Sequence, residues 1–331
     1  MDHVLTKASL GKGPPPGGDG PGQGAYTACP GAGHRSSPFR RGLLAWVRAF
    51  PFLAPSLFGV SVFLLLPVIL IFVLSLLQWN LLSPPKFVGF QNFATIFEQD
   101  GAGHSLLVTA YYVLLAIPLQ TVLSLGMAVM LNRKLPGMGV YRVLFVVPFM
   151  ATPVALAVVW NWIFDPKFGF ANQLIGYFGI PAQNWLGSYK LAMPVLAAVQ
   201  IWQWVGYNML FFLAGLQGIP PELLESAAID GAGQWQRFRR VTVPLLRPTM
   251  LFVLVTTVIG SFQVFDTVYV LTDGGPGTST QVLNLSIYQT AFTDFRIGEA
   301  SAMSVVLFVV VLIFTFIQFT YFRRRTVYEY V

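Results

Sequence analysis

A polar and aromatic face on one apolar segment is the strongest candidate for binding chemistry in this sequence. Gln200, Gln203, Trp204 and Tyr207 are spaced at i, i+3, i+4 and i+7, which places them on one face of a helix. Polar side chains are costly in lipid and normally face a bundle interior or a water-filled cavity. Amides can hydrogen-bond sugar hydroxyls while aromatic rings stack on the apolar face of a pyranose, so this pattern favours sugar binding. The alternative is packing between helices, with Trp202 and Trp204 at a membrane interface.

Two neighbouring segments supply further candidates for the same pathway. Thr257 and Ser261 lie one helical turn apart on a shared face of the next apolar segment. Asp266 is an acidic residue inside that segment, and it is either a gating or binding group or a paired structural carboxylate. The remaining candidates are Gln263 and, beside the helix-kinking Pro148 and Pro153, Phe149 and Thr152.

No cluster of residues in the sequence indicates covalent or metal chemistry. The single cysteine, Cys29, excludes an intrachain disulfide, and His3, His34 and His104 lack metal-ligand spacing. The phosphate-binding pattern G-x-x-x-x-G-K-[ST] does not occur in the sequence, so no nucleotide-hydrolysing site is recognisable. We therefore expect a non-catalytic role, with no metal or cofactor bound by this chain.

Composition places these residues in a membrane protein. Of 331 residues, 55% are hydrophobic and 10% are charged, whereas about 25% are charged in soluble proteins. A membrane-spanning helix takes about 20 apolar residues, and six segments are that long: 52–78, 105–131, 140–163, 191–216, 248–271 and 298–321. We predict an all-α integral membrane protein whose six transmembrane helices form one domain over residues 43–331. Residues 1–42 are rich in Gly and Pro, which predicts a disordered tail and no cleavable signal peptide.

Basic residues predict the orientation of these segments. With the N-terminus inside, sixteen of the 20 Lys and Arg residues fall on inner segments. Because cytoplasmic loops carry an excess of positive charge, both termini and the loop at 217–247 are predicted to be cytoplasmic. The same bias accounts for the net charge of +7, so this charge does not require nucleic acid as a partner.

The loop at 217–247 is the most polar internal stretch and is predicted to form a helix, a turn and a second helix. Pro220 and Pro221 suit a helix start, and Gly231 suits its end. Apolar residues recur every third position from Trp235, which is typical of a short amphipathic helix. Small residues near the turn would let the groove of another protein approach the backbone: Ser226, Ala227, Ala228, Gly231, Ala232 and Gly233. The alternative is a solvated connecting loop.

Three short motifs in this loop resemble the EAA loop of the permease subunits of binding-protein-dependent ABC importers. The family pattern reads EAA, then DGA, then a hydrophobic–Pro pair, and the matching residues are Glu225-Ser226-Ala227, Asp230-Gly231-Ala232 and Val243-Pro244. Ser226 departs from the family alanine but remains small. From about Arg41 to Tyr328 the chain resembles the sugar-permease branch, of the maltose and glycerol-phosphate type.

The resemblance implies a type I, MetI-like permease bundle in a bacterial or archaeal inner membrane, surrounded by lipid. The implied partners are a second homologous permease subunit, expected to be a different chain, two cytoplasmic ATPase subunits that bind ATP and Mg²⁺, and an extracytoplasmic solute-binding protein. The loop from Glu225 to Gly233, together with Pro244, would couple the chain to the ATPase subunits. Positions that match Thr257 and Ser261 line the sugar pocket in the maltose-type permease.

Other substrates and other classes of transporter remain alternatives. Glycerol-phosphate or another polar solute could replace the sugar, although the predicted pathway face has no cationic residue to bind an anion. An ion-coupled secondary transporter would need a coupling-ion site and usually an inverted repeat, and no repeat is visible. A membrane enzyme would need a clustered catalytic set, which the sequence also lacks.

Overall fold

The computed structural model describes residues 50–98, 101–133 and 136–323. The predicted tail at 1–42 and the basic residues Arg324 and Arg325 lie outside this range. The chain divides into two units, residues 1–59 and 60–331. The described part of both units is almost entirely helical, which agrees with the predicted all-α fold.

The first half of the described chain contains long apolar helices and a small hairpin. In chain order its elements are α1 (Phe50–Leu74), β1 (Leu77–Gln78), β2 (Lys86–Phe87), α2 (Gln91–Glu98), α3 (Ala102–Leu131), α4 (Met138–Met150), α5 (Pro153–Ile163) and α6 (Phe170–Gly176). The two strands pair antiparallel, with Leu77 opposite Phe87. Helix α1 includes a π-helical stretch at Ser61–Leu65.

The second half alternates long helices with short ones. Its elements are α7 (Ala192–Gln217), α8 (Pro221–Ile229), α9 (Gln234–Leu245), α10 (Arg247–Phe262), α11 (Asp266–Leu271), α12 (Leu283–Tyr288) and α13 (Ile297–Arg323). Helix α9 is π-helical at Phe238–Thr242, and a second π-helical turn, Gln289–Thr293, follows α12.

Four single helices are long and apolar enough to cross a membrane: α1, α3, α7 and α13. Two bent pairs also pass this test together, α4 with α5 at an angle of 97° and α9 with α10 at 68°. The described residues therefore provide four spans, or up to six if each bent pair is one span. The predicted third segment, 140–163, is broken in the middle, and the fifth, 248–271, is divided between α10 and α11.

Pro153 explains the break between α4 and α5. Ala151 and Thr152 are extended, with φ/ψ of −80°/146° and −65°/135°. The ring of Pro153 disfavours helical backbone at the residue before it, so Thr152 leaves the helix. Pro153 itself begins α5, where its missing N–H costs no hydrogen bond. The predicted kink is therefore a complete break of the helix.

Close helix packing holds α4 against α7. A Cβ added to Gly206 on α7 would lie 1.8 Å from the backbone oxygen of Phe145 on α4. Only a residue without a side chain permits this approach, as is common where membrane helices touch. The largest fully buried side chains lie elsewhere on the long helices and include Tyr112, Phe262 and Met303.

Hydrogen bonds fasten α12 to the N-terminal end of α3. The hydroxyls of Ser105 and Ser286 are 2.8 Å apart, and both residues are buried. The backbone N–H of Leu283 donates to the hydroxyl of Thr109 at 2.8 Å. Because buried hydrogen bonds are costly to break, α12 has a defined position on the bundle.

Candidate functional site

A small cleft between α7 and α10 brings five of the predicted pathway residues together. It is lined from α7 by Gln200, Trp204 and Tyr207 and from α10 by Thr257 and Ser261. The cleft has a volume of about 30 Å³, and none of the described residues that line it is charged. Helical periodicity places the α7 residues on one side, and the packing of α10 against α7 supplies the other side.

Aromatic rings form one wall of this cleft. Phe149 of α4 stacks on Tyr207, with ring centroids 4.2 Å apart and planes 19° apart. Trp204 meets Phe149 edge-on at 5.0 Å and Tyr207 at 5.8 Å. Trp204 and Tyr207 therefore line the cleft, and Phe149 packs against both rings and holds their orientation.

The hydroxyl groups of α10 lie opposite the rings. Thr257 and Ser261 are 7% and 2% exposed, and the amide of Asn208 donates to the Thr257 hydroxyl at 3.0 Å. Gly260, between them on the same helix, leaves open space where another residue would place a side chain. The cleft thus combines ring faces, hydroxyls and amides, the groups that bind a neutral polyhydroxyl compound.

Two of the predicted pathway residues lie at the break between α4 and α5 and do not line the cleft. Gln203 is 2% exposed, and its amide donates to the backbone oxygen of Ala151 at 3.3 Å. Thr152 is exposed and forms the start of α5. Gln203 therefore satisfies a carbonyl that the broken helix leaves unpaired.

Gln263 and Asp266 lie beyond the end of α10 and outside the cleft lining. Gln263 is exposed and is the residue that follows α10. Asp266 is exposed in the first turn of α11, where a negative charge is favoured by the helix dipole.

The structure shows further residues lining the cleft that the spacing of residues on one segment did not predict. Gln120 of α3 is 2% exposed and lines the cleft together with Asn208 and Thr256. Asn208 could have been found, because it lies four residues after Trp204 on the same helical face. Gln120 belongs to another helix, and its only signal was an amide inside a predicted membrane span.

A second region, the small-residue turn (residues 225–233), joins α8 to α9. Gly231 has φ +80°, a left-handed conformation that favours glycine. The N–H of Ala232 donates to the Ala227 oxygen at 3.0 Å, and that of Gly231 donates to the Ala228 oxygen at 3.1 Å. This double hydrogen bond is a Schellman motif, which ends α8 where the sequence predicted.

The second helix of this region begins beside the turn. The N–H of Gly233 donates to the side-chain oxygen of Gln236 at 3.0 Å, which caps α9. Trp235 and Phe238 stack with ring centroids 5.5 Å apart. Pro244 lies near the end of α9, just before the 68° bend into α10. The helix–turn–helix predicted for this loop is therefore present.

The small-residue turn is open on its outer surface. Among the described residues, nothing lies within 4 Å of a Cβ added to Gly231 or Gly233. Ile229 is 88% exposed, and Trp235 is 69% exposed. Glu225, Ser226, Ala228 and Asp230 are also exposed, whereas Ala227 and Ala232 are partly buried. Nothing in the described chain covers this apolar and small-residue surface.

Spanning helices, an uncharged cleft between them and an uncovered helical turn together define a transport permease. No group of three His, Cys, Asp or Glu side chains that could hold a metal occurs among the described residues. The sequence profile described as "Binding-protein-dependent transport system inner membrane component" matches residues 105–328, and the chain belongs to this family. It is thus a non-catalytic inner-membrane component of such a transport system, as the resemblance of the loop predicted.

Relatives with assigned roles cover most of the chain. The trehalose/maltose transport system permease protein MalF of Thermococcus litoralis is 34% identical over 275 residues, 82% of this chain and 92% of that protein. The sn-glycerol-3-phosphate transport system permease protein UgpA of Agrobacterium fabrum is 34% identical over 244 residues, 73% of this chain and 83% of that protein.

A solved structure shares the fold. It belongs to a bacterial ABC transporter involved in the import of the acidic polysaccharide alginate, and it matches with a TM-score of 0.75. The match covers 87% of this chain and 99% of that chain at 23% sequence identity. The similarity confirms an ABC importer permease fold.

Proposed function

We propose that this chain conducts a neutral sugar as one permease subunit of an ATP-driven ABC importer. The observation that carries the proposal is the cleft between α7 and α10. Its lining offers rings, hydroxyls and amides, and none of its described lining residues is charged. Phe149, Trp204 and Tyr207 offer ring faces to a pyranose, and Thr257 and Ser261 offer hydroxyls to its hydroxyl groups. The trehalose/maltose role assigned to a relative supports the same class of substrate.

The size of the cleft supports a second permease subunit. Small-molecule sites usually enclose about 300–1,000 Å³, whereas the cleft in this chain encloses about 30 Å³. A sugar therefore requires space that another subunit, or another conformation, must supply. A homologous permease that packs against the cleft would complete the pathway, and we expect it to be a different chain.

The small-residue turn would couple the chain to two cytoplasmic ATPase subunits, which would bind ATP and Mg²⁺. Gly231 and Gly233 leave the backbone open to close approach, and Ile229 provides an exposed apolar contact. ATP binding by the partners can favour one state of the bundle only through contacts that differ between states. With the turn and both termini in the cytoplasm, a solute-binding protein would deliver the sugar at the opposite side of the membrane.

Glycerol-phosphate is the alternative substrate, because a relative is assigned to it. A phosphate is normally bound by Arg, Lys or helix N-terminal N–H groups. The described lining of the cleft supplies amides and hydroxyls instead. The chemistry of the cleft therefore favours a neutral sugar.

The substrate is tested by thermal-shift screening of the cognate binding protein with sugars and sn-glycerol 3-phosphate. Import of the stabilising compound is then measured with the complex reconstituted in liposomes. We expect stabilisation by a sugar and import that requires ATP. Stabilisation by glycerol 3-phosphate alone would replace the proposed substrate, and import driven by an ion gradient without ATP would refute the mechanism.

The orientation is tested by cysteine labelling. Arg237 on α9 would be replaced by cysteine in a chain whose Cys29 is changed to serine. An impermeant thiol reagent should label this position only after the cells are opened. Labelling from outside intact cells would place the small-residue turn on the wrong side for ATPase subunits.

A further inference from the structure

Four aromatic rings form a continuous surface across α11 and α12. Phe265 and Tyr269 stack with ring centroids 5.3 Å apart and planes 14° apart. Tyr288 contacts both, at 5.0 Å from Phe265 and 5.5 Å from Tyr269, and Phe292 adjoins Tyr288 at 5.3 Å. Tyr269 is 42% exposed and Phe292 66% exposed, so the rings present open faces. We call these four residues the aromatic platform.

Hydrogen-bonding groups accompany the aromatic platform. Gln263 and Asp266, on either side of Phe265 in the sequence, are both exposed. The amide of Asn284 donates to the backbone oxygen of Gln263 at 3.0 Å, which joins the start of α12 to the end of α10. A carboxylate and an amide within two residues of Phe265 in the sequence can serve the hydroxyl groups of a pyranose, while the rings can stack on its apolar C–H face.

Buried contacts on both helices hold the platform in place. Thr267 and Val268 of α11 are 4% and 0% exposed and form the inner side of the helix that carries Tyr269. The paired hydroxyls of Ser105 and Ser286 fix α12 on the end of α3. A rigid arrangement of rings loses little conformational entropy when a ligand binds.

The platform continues the line of the cleft residues. Thr257 and Ser261 line the cleft from α10, and Phe265 lies four residues beyond Ser261, just after α10 ends. In the predicted orientation this end of α10 faces the extracytoplasmic side. The route from outside to the cleft would therefore pass the platform.

A membrane-interface belt is the simplest alternative, because Tyr is enriched there. Such a belt requires an amphipathic ring at the headgroup level but no particular set of amide and carboxylate neighbours. The combination of stacked rings with acceptor and donor groups is better matched to a sugar.

We propose that the aromatic platform is an outer sugar subsite, which receives a pyranose before it enters the cleft. The inference rests on the proposed sugar function and adds to it a second, separate binding position. Phe265, Tyr269, Tyr288 and Phe292 provide the stacking faces. Asp266 accepts hydrogen bonds from sugar hydroxyls, and the side chain of Gln263 can donate to them.

The test compares two substitutions of Tyr269 in the reconstituted complex. Tyr269→Phe keeps the ring, whereas Tyr269→Leu keeps an apolar side chain and removes the stacking face. Import kinetics are measured with whichever of glucose, maltose or trehalose the wild-type complex imports. We expect Tyr269→Leu to raise the apparent KM by about threefold to tenfold, the loss expected for one ring contact. The maximal rate should change little, and Tyr269→Phe should stay close to wild type.

Controls separate this inference from the proposed function. Tyr177→Leu alters another exposed tyrosine, 88% exposed in the stretch after α6, and should leave KM unchanged. If Tyr269→Leu fails to assemble, Phe292→Leu, at a more exposed ring, gives the same comparison.

Two outcomes overturn the platform while sugar import stands: wild-type KM in an assembled leucine variant, or dissociation of the two permease subunits in both variants, which would identify a subunit interface. A wild-type complex that imports no sugar, the one that stabilises its binding protein included, contradicts the proposed function itself.

Discussion

Two glycines, Gly206 and Gly231, show how differently the cleft region and the small-residue turn are constrained. A Cβ at Gly206 would meet the Phe145 backbone oxygen at 1.8 Å, so the residue is small because of a neighbour within the chain. A Cβ at Gly231 would meet nothing within 4 Å among the described residues, although its φ of +80° also favours glycine.

The difference identifies which region is explained by contacts within this chain. Helix α7 is largely buried, and its contacts with α3, α4 and α10 account for its small and polar residues. The small-residue turn has the same kind of residues but nothing in the described chain packs on them. Contacts within the chain explain the first region, and the proposed ATPase subunits would explain the second.

The largest expected effect comes from a charge placed at the open turn. Gly231→Asp adds a side chain, backbone strain and a charge that would be buried in an ATPase groove, where an unpaired charge is costly. We expect ATPase activity stimulated by the loaded binding protein, and import, to be abolished. Helix insertion should persist, because the substitution lies outside the spans.

Gly137 provides a matched control for that substitution. It also has a positive φ, of +83°, with nothing within 4 Å of an added Cβ among the described residues. Gly137→Asp therefore introduces similar strain and charge at a turn without the EAA pattern. Full stimulation in Gly231→Asp, or equal loss in both variants, would contradict a specific coupling role.

The next effect tests the close packing of α4 against α7 beside the cleft. Gly206→Ala forces α4 and α7 apart, and overpacking of this kind costs about 1–3 kcal/mol. Thermal unfolding of the purified complex should therefore occur at a lower temperature. Gly126→Ala is the control, because an added Cβ there has open space within α3. Equal unfolding temperatures would show that the close approach of α4 and α7 is not rigid.

Removal of one ring tests whether the cleft binds substrate. Trp204→Ala should raise the KM of import about tenfold, the upper range expected for one aromatic contact. Assembly with the partner subunits should be retained. Trp162→Ala, at a residue 74% exposed on α5, should leave import unchanged. Wild-type kinetics for Trp204→Ala would make the α7 face a packing surface.

The smallest effect distinguishes backbone strain at Gly231 from contact between the turn and the ATPase subunit. Gly231→Ala should cost about 1 kcal/mol, because an L-residue pays for left-handed backbone. Gly233 has φ −64°, so Gly233→Ala should cause no strain. Measured as stimulated ATPase activity, a modest loss in the first variant alone indicates strain. Equal losses would indicate that the ATPase contacts both positions.

Much of the fold was predictable because membrane helices carry a strong hydropathic signal. Helices α3, α7 and α13 coincide closely with predicted segments, and α8 begins at a predicted proline and ends two residues before the predicted Gly231. The break at Ala151 and Thr152 was predicted only as a kink, because proline indicates where a helix is perturbed but not by how much. No proline or glycine directly follows Phe262, so the sequence did not mark the end of α10.

The cleft was partly predictable, because the spacing of residues along one helix shows which of them share a face. Periodicity correctly grouped Gln200, Trp204 and Tyr207, which depend on one helix alone. It could not assign Gln203, because contact with α4 or with the cleft depends on how helices pack. To identify Gln120 as a lining residue, one must know that α3 and α7 are neighbours, and no local sequence pattern contains that information. The roles of these residues in transport remain predictions.

The hydrogen bond from Gln203 to the Ala151 oxygen has a consequence for how the protein is made. The two residues are far apart in the chain, and α4 and α5 are synthesised before α7. Until α7 arrives, the carbonyl at the break has no amide partner from that helix. Because Pro153 breaks the helix locally, we expect the nascent segment at 140–163 to bend early, with this carbonyl still without its amide partner. The hydrogen bond that completes the break therefore comes from a side chain that the ribosome adds more than fifty residues afterwards.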